Sequence, residues 1–88
     1  LAVRLANPQA LAIIKKGVSR IVTVGENAIL GAIGEMAKQT DNLVEGAGAA
    51  SLAGAFLDRD THVQDDQIGI VASGGNLEAK VLTRALAL

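Results

Sequence analysis

"IGIVASGGNLEAKVL", residues 68–82, runs from a short apolar stretch through Ser73-Gly74-Gly75-Asn76 into a helix-like segment. Residues 67–72 read as a strand, being apolar, partly β-branched and bounded by turn residues. Leu77 to Leu88 read as a helix, with Leu77, Val81, Leu82, Ala85 and Leu86 on one face and Glu78, Lys80 and Arg84 elsewhere. The loop between them then stands at the carboxyl end of a strand, where ligands of open α/β sheets usually lie. Gly74 and Gly75 leave the backbone open to close approach. The Ser73 hydroxyl both donates and accepts, and the helix N–H groups favour an anion. Ser-Gly-Gly-Asn is equally a helix-entry turn with Asn76 as N-cap. Spacing alone leaves both readings standing.

The preceding chain repeats the alternation. Asn7 and Pro8 form a helix start, Lys15 and Lys16 suit the negative end of its dipole, and Gly17 suits a left-handed stop. Residues 20–24, Arg-Ile-Val-Thr-Val, read as a second strand. From Glu26 the period becomes helical, with Ile29, Leu30, Ile33, Met36 and Ala37 on one face. Gly31 and Gly34 weaken this helix by about 1 kcal/mol each relative to Ala unless they permit close packing. Residues 43–57 carry no charge between Glu45 and Asp58 and are almost all small, the pattern of a buried helix. Helices alternating with two short strands predict an α/β fold, a helix-rich fragment of a three-layer α/β/α parallel-sheet domain. Two strands alone make a poor sheet, so residues 1–88 are expected to form a single partial domain.

Composition points the same way. Half of the 88 residues are apolar, yet Phe56 is the only aromatic, and there are ten glycines and no cysteine. A core assembled from small contacts without disulfides is marginal at this length, which predicts dependence on a second copy or on further chain. Net charge is −1 with no basic stripe, giving nucleic acid no footprint. No apolar run reaches the roughly 18–20 residues of a membrane span. The start, Leu1-Ala2-Val3-Arg4, has neither an initiating Met nor a signal-peptide layout. The expectation is an excised or processed segment of a soluble cytoplasmic protein.

Several chemistries fail on their motifs. A P-loop requires G-x-x-x-x-G-K-[ST], and neither its lysine nor its spacing is present. Gly46-Ala47-Gly48 begins a dinucleotide fingerprint, but Ser51 stands at the third glycine. No metal cluster is evident: His62 reads as a loop histidine and Asp65-Asp66 as a solvated pair. Glu45 opens the buried-looking stretch, where a carboxylate needs a partner. It is either a helix N-terminal residue favoured by the dipole or part of a pocket lining.

Taken together, "LVEGAGAASLAGAFLD" (43–58) and "IGIVASGGNLEAKVL" (68–82) resemble the end of the catalytic domain of pyridoxal-phosphate-dependent, fold-type II threonine/serine dehydratases, a group that includes serine racemase and related ammonia-lyases. The upstream "LAVRLAN" and "VSRIVTVGENAILGAIGEMA" are similar to the preceding segment of those enzymes, so the resemblance covers nearly the whole chain. The family usually has Pro after the glutamate, where this chain has Gly46. The resemblance implies that Ser73 hydrogen-bonds the pyridine nitrogen of pyridoxal phosphate. It also implies that Gly74 and Gly75 let the backbone pass close to the ring, and that Glu45 lies near it. The family's cofactor-binding lysine and phosphate loop belong to the N-terminal half of the domain and match nothing here. Lys15, Lys16, Lys38 and Lys80 read as helix-surface residues.

The resemblance therefore implies one wall of a lyase active site acting on a small amino acid, with the missing N-terminal half or a homo-oligomer as partner. The alternative is a stand-alone small oligomerising or ligand-binding protein derived from that fold. In either case the 88 residues with pyridoxal phosphate and threonine are expected to release no 2-oxobutanoate at enzymatic rates, as a coupled keto-acid assay would measure.

Overall fold

The computed structural model describes residues 5–59 and 67–88. The first four residues, His62 and Asp65-Asp66 lie outside these, so the readings placed on them are not addressed by the structure. Four helices follow in order: α1 (Pro8–Gly17), α2 (Glu26–Thr40), α3 (Gly46–Leu57) and α4 (Ala79–Leu86). Among the described residues there is no strand, and the expected α/β sheet fragment is replaced by an all-α arrangement. The physical reason lies in pairing. Residues 20–24 and 67–72 have β-favouring composition, but that preference reflects fit to a pleated surface rather than an intrinsic backbone state. Without neighbouring strands they cross the surface without a ladder. Each is tied instead to α3: the Arg20 guanidinium pairs with the Asp58 carboxylate, and the Ser51 hydroxyl donates to the Val71 carbonyl at 2.8 Å.

The helix termini follow the local chemistry with two corrections. The Asn7 side chain accepts from the Gln9 and Ala10 amides at 2.9 and 3.2 Å, Pro8 opens α1, and Lys15 and Lys16 fill its last turn. Gly17, however, is helical and not left-handed. The chain leaves α1 through extended Val18, whose amide bonds the Ile14 carbonyl at 2.9 Å. At the other end, α4 begins at Ala79, two residues later than expected, with Glu78 at the N-cap position and no side-chain cap. Asn76 is therefore not the N-cap. The Leu77 amide donates to the Gly75 carbonyl at 2.8 Å, so the loop turns on itself before the helix starts.

α2 is the centre of the packing, with α3 and α4 laid against it. Leu30, Ala32, Ile33 and Met36 of α2 form the core with Val44, Ala49 and Ala53 beside α3 and Ala85 of α4. Val24, Ile29, Leu52, Leu77, Val81 and Leu82 pack around it. Ile33 is the one large side chain enclosed completely among the described residues. The other contacts use alanine and glycine, which brings backbones together. A Cβ on Gly34 would stand 2.9 Å from the Ala85 carbonyl oxygen, so this glycine is what lets α4 reach α2. Gly31 meets nothing within 4 Å and has no such role. α3 is buried along one side only, through Gly48, Ala49, Ala53 and Gly54, while Phe56 and Leu57 are exposed. α1 buries no residue, and Leu86 of α4 is also exposed. The radius of gyration is 14.0 Å, against about 12 Å for a compact domain of this length.

The close crossing has a measurable consequence. Gly34→Val must push the Ala85 carbonyl aside and is expected to cost about 1–3 kcal/mol. Gly31→Ala is expected to be stabilising by up to about 1 kcal/mol through helix propensity. Urea midpoints of the two variants should therefore move in opposite directions; a shared direction would contradict the α2–α4 contact.

Candidate functional site

The loop that carries the sequence motif is held by the start of α3. Glu45 is the N-cap of that helix, with extended backbone, and its amide donates to the Gly74 carbonyl at 3.1 Å. A first-turn amide that has no partner inside the helix thus finds one in the loop. Beside it, a Cβ on Gly48 would lie 2.7 Å from the Gly74 oxygen and 3.1 Å from its nitrogen. Only a glycine at 48 lets the loop backbone rest on the helix backbone. The Glu45 side chain then folds across Gly74, so that a Cβ on Gly74 would collide with Glu45 Oε1. On the far side, a Cβ on Gly75 would approach the Leu43 carbonyl at 3.2 Å.

These contacts bring Ser73, Gly74, Gly75 and Glu45 into one locality. The three loop residues line a cavity of about 360 Å³ together with Ala72 and with Met36, Asn42, Leu43 and Val44, a volume at the low end for small-ligand pockets. Glu45 stands behind Gly74, at the loop's attachment to α3. Ser73 is exposed, and its hydroxyl makes no hydrogen bond to the described residues. The wall from α2 and its following turn was not singled out from the sequence. Its signal was the polar Thr40-Asp41-Asn42 run. Thr40 Oγ1 donates to the Met36 carbonyl at 2.6 Å and accepts from the Asn42 amide at 3.3 Å. Asp41 takes a left-handed conformation, φ 58°. This turn reverses the chain and delivers Leu43 and Val44 to the cavity.

Such a site has a definite chemical range. Its lining combines apolar side chains with the Asn42 amide, loop backbone and the Ser73 hydroxyl, a mixed surface that offers both apolar contact and hydrogen bonds. Among the described residues there is no grouping of three or more His, Cys, Asp or Glu able to hold a metal. No helix of the described residues is long and apolar enough to cross a membrane.

Comparison with known proteins gives one relevant likeness. The chain is similar to an L-threonine ammonia-lyase from Thermotoga maritima, 31% identical over 86 residues, or 98% of this chain. The chain spans only 21% of that relative. No family model matches the chain, and no solved structure matches it. The likeness supports a relation to a segment of such a lyase.

The packing predicts unequal tolerance at the two glycines. Gly48→Ala sets a methyl against backbone that cannot swing away and is expected to detach the loop, accelerating hydrogen exchange of the Glu45 amide. Gly74→Ala displaces only the end of a flexible side chain. It should cost less than about 1 kcal/mol, in line with substitutions outside packed cores, and this cost should vanish in a Glu45→Ala background. An equal cost in both backgrounds would show that Glu45 does not cover Gly74.

Proposed function

We propose that the chain is the cofactor-facing segment of a pyridoxal-phosphate-dependent ammonia-lyase of the threonine/serine dehydratase type, forming one wall of its site. The observation that carries this reading is the Ser73 hydroxyl, without a hydrogen-bond partner among the described residues, at a cavity whose loop is braced from behind by Glu45 and Gly48. The 31% likeness to the Thermotoga threonine ammonia-lyase supports it independently.

The residues fit the pyridine edge of that cofactor. Gly74 and Gly75 keep the loop free of side chains, so the backbone can lie near a planar ring. Ser73 would donate a hydrogen bond from its hydroxyl to the ring nitrogen. A neutral hydroxyl shares a hydrogen bond there but does not hold the nitrogen protonated as a carboxylate would. The bound cofactor would supply an electron sink of moderate strength, suited to losing a β-substituent from a hydroxyamino acid. Glu45 acts as a positioning residue, keeping Gly74 and hence Ser73 in place. The lysine and phosphate loop of such an enzyme come from sequence beyond this segment, as does recognition of the amino acid.

Replacing the matched stretch of the Thermotoga enzyme by residues 1–88 tests this reading. The chimera is expected to bind pyridoxal phosphate, seen by its absorbance, and to convert threonine to 2-oxobutanoate and ammonia. Ser73→Ala should lower kcat/KM about 5- to 100-fold, the equivalent of one lost hydrogen bond. An active chimera indifferent to Ser73→Ala would remove Ser73 from the cofactor site. Full activity in Glu45→Ala would likewise remove Glu45 from its positioning role.

A further inference from the structure

A second cavity, of about 230 Å³, lies between α2 and α4 and shares no lining residue with the Ser73 cavity. Its apolar lining is aliphatic: Ile29, Leu30 and Ile33 from α2 and Val81 from α4. Leu30 and Ile33 belong to the core, so this lining is continuous with it. Two charged side chains also line the cavity, Glu26 in the first turn of α2 and Arg84 in the last turn of α4. Among the described residues neither side chain has an ion-pair or hydrogen-bond partner. Their own helices offer none at the spacings where side chains meet. Glu26 is followed at those spacings by Ile29 and Leu30, and Arg84 is preceded by Lys80 and Val81.

Opposite charges beside one apolar lining select by exclusion as well as by attraction. A simple anion drawn to Arg84 meets the Glu26 carboxylate in the same cavity, and a simple cation drawn to Glu26 meets the Arg84 guanidinium. A molecule that carries both charges satisfies both. The guanidinium presents a planar fork that matches a carboxylate, and the Glu26 carboxylate accepts from an ammonium. No other lining side chain is polar, so a hydroxyl on the occupant would be buried without a side-chain partner, which is unfavourable. The volume falls below the roughly 300 Å³ at which pockets for drug-sized ligands begin. The occupant is therefore small, doubly charged and aliphatic.

We propose that this cavity binds a small zwitterion with an aliphatic body, a free apolar α-amino acid of the size of valine or leucine, with its carboxylate on Arg84 and its ammonium on Glu26. The site requires neither the lyase reading nor a cofactor at Ser73. It is also separate from the place of a hydroxyamino acid substrate, whose hydroxyl finds no side-chain partner here.

Methyl NMR of the full 88-residue chain titrated with leucine tests it. The Ile29, Ile33 and Val81 methyl signals are expected to shift and to saturate within about 10 mM, the range for a ligand of so few heavy atoms. Three analogues dissect the recognition: isocaproate, which lacks the ammonium; isoamylamine, which lacks the carboxylate; and serine, which replaces the aliphatic body by a hydroxyl. Each is expected to bind about tenfold more weakly or worse. Glu26→Gln and Arg84→Gln should each weaken leucine about 10- to 100-fold, the equivalent of one hydrogen bond to a charged group. Both side chains are exposed, so the melting temperature should stay nearly unchanged in either variant. Absence of saturable shifts overturns the proposal. Binding of isocaproate or isoamylamine as tight as that of leucine also overturns it, since one charge would then suffice. Equal binding of serine removes the aliphatic lining from recognition and the proposal with it. Because the analogues are compared on the unaltered chain, these outcomes hold whether or not the variants fold.

Discussion

Close approach between backbones governs this molecule. A core with one fully enclosed large side chain, Ile33, cannot hold helices together through bulky interdigitating residues. It does so by removing side chains where elements meet: Gly34 under the Ala85 carbonyl, Gly48 under Gly74, and Ala49 and Ala53 between α3 and α2. Attraction between packed atoms falls steeply with small gaps, so such contacts work only if the backbones come near enough to touch. Each glycine also adds entropy to the unfolded chain. The arrangement is consequently sensitive to single methyl groups at a few positions and indifferent to them elsewhere, as the contrast between Gly34 and Gly31 shows.

The same constraint builds the candidate site. Because Gly48 has no side chain, the loop at 73–75 lies against the first turn of α3, and the Glu45 amide finds its acceptor in Gly74. Ser73 is thereby held at a cavity without making a bond of its own to the described protein. A hydroxyl in that position is available to something else. The site owes its form to the pairing of two small-residue motifs far apart in the chain, and neither would define it separately.

Much of this was legible before the structure, and the exceptions have physical causes. The helix signals at Asn7-Pro8 and Glu26 were local and correct, because caps and dipoles act within a turn. The small-residue run at 43–57 marked a helix, which forms over Gly46–Leu57 and is buried on one side only, and one of its glycines, Gly48, admits a neighbouring backbone. The strands failed because a strand is not a local object: residues 20–24 and 67–72 have the composition but no ladder among the described residues. Gly17 failed because a glycine permits a left-handed stop without requiring one. Asn76 failed because the Gly75–Leu77 turn moves the helix start onward by two residues. In the site, Ser73, Gly74, Gly75 and Glu45 were all named from the sequence, and the structure puts them in one locality. The wall from Met36 and Asn42 to Val44 was not, since it depends on the reversal at left-handed Asp41.

The backbone occupies a slab 39 by 34 by 19 Å, and its thinnest dimension has an electrostatic meaning. A layer scarcely two helices deep leaves no backbone atom farther from its faces than about half that thickness. Ser73 itself is exposed, so water reaches its hydroxyl and the effective dielectric around its cavity stays high. Hydrogen bonds and charges gain strength when solvent is excluded. A single slab can position a hydroxyl, but it cannot insulate one. Any chemistry that needs a dry reaction volume calls for a second surface across from Ser73.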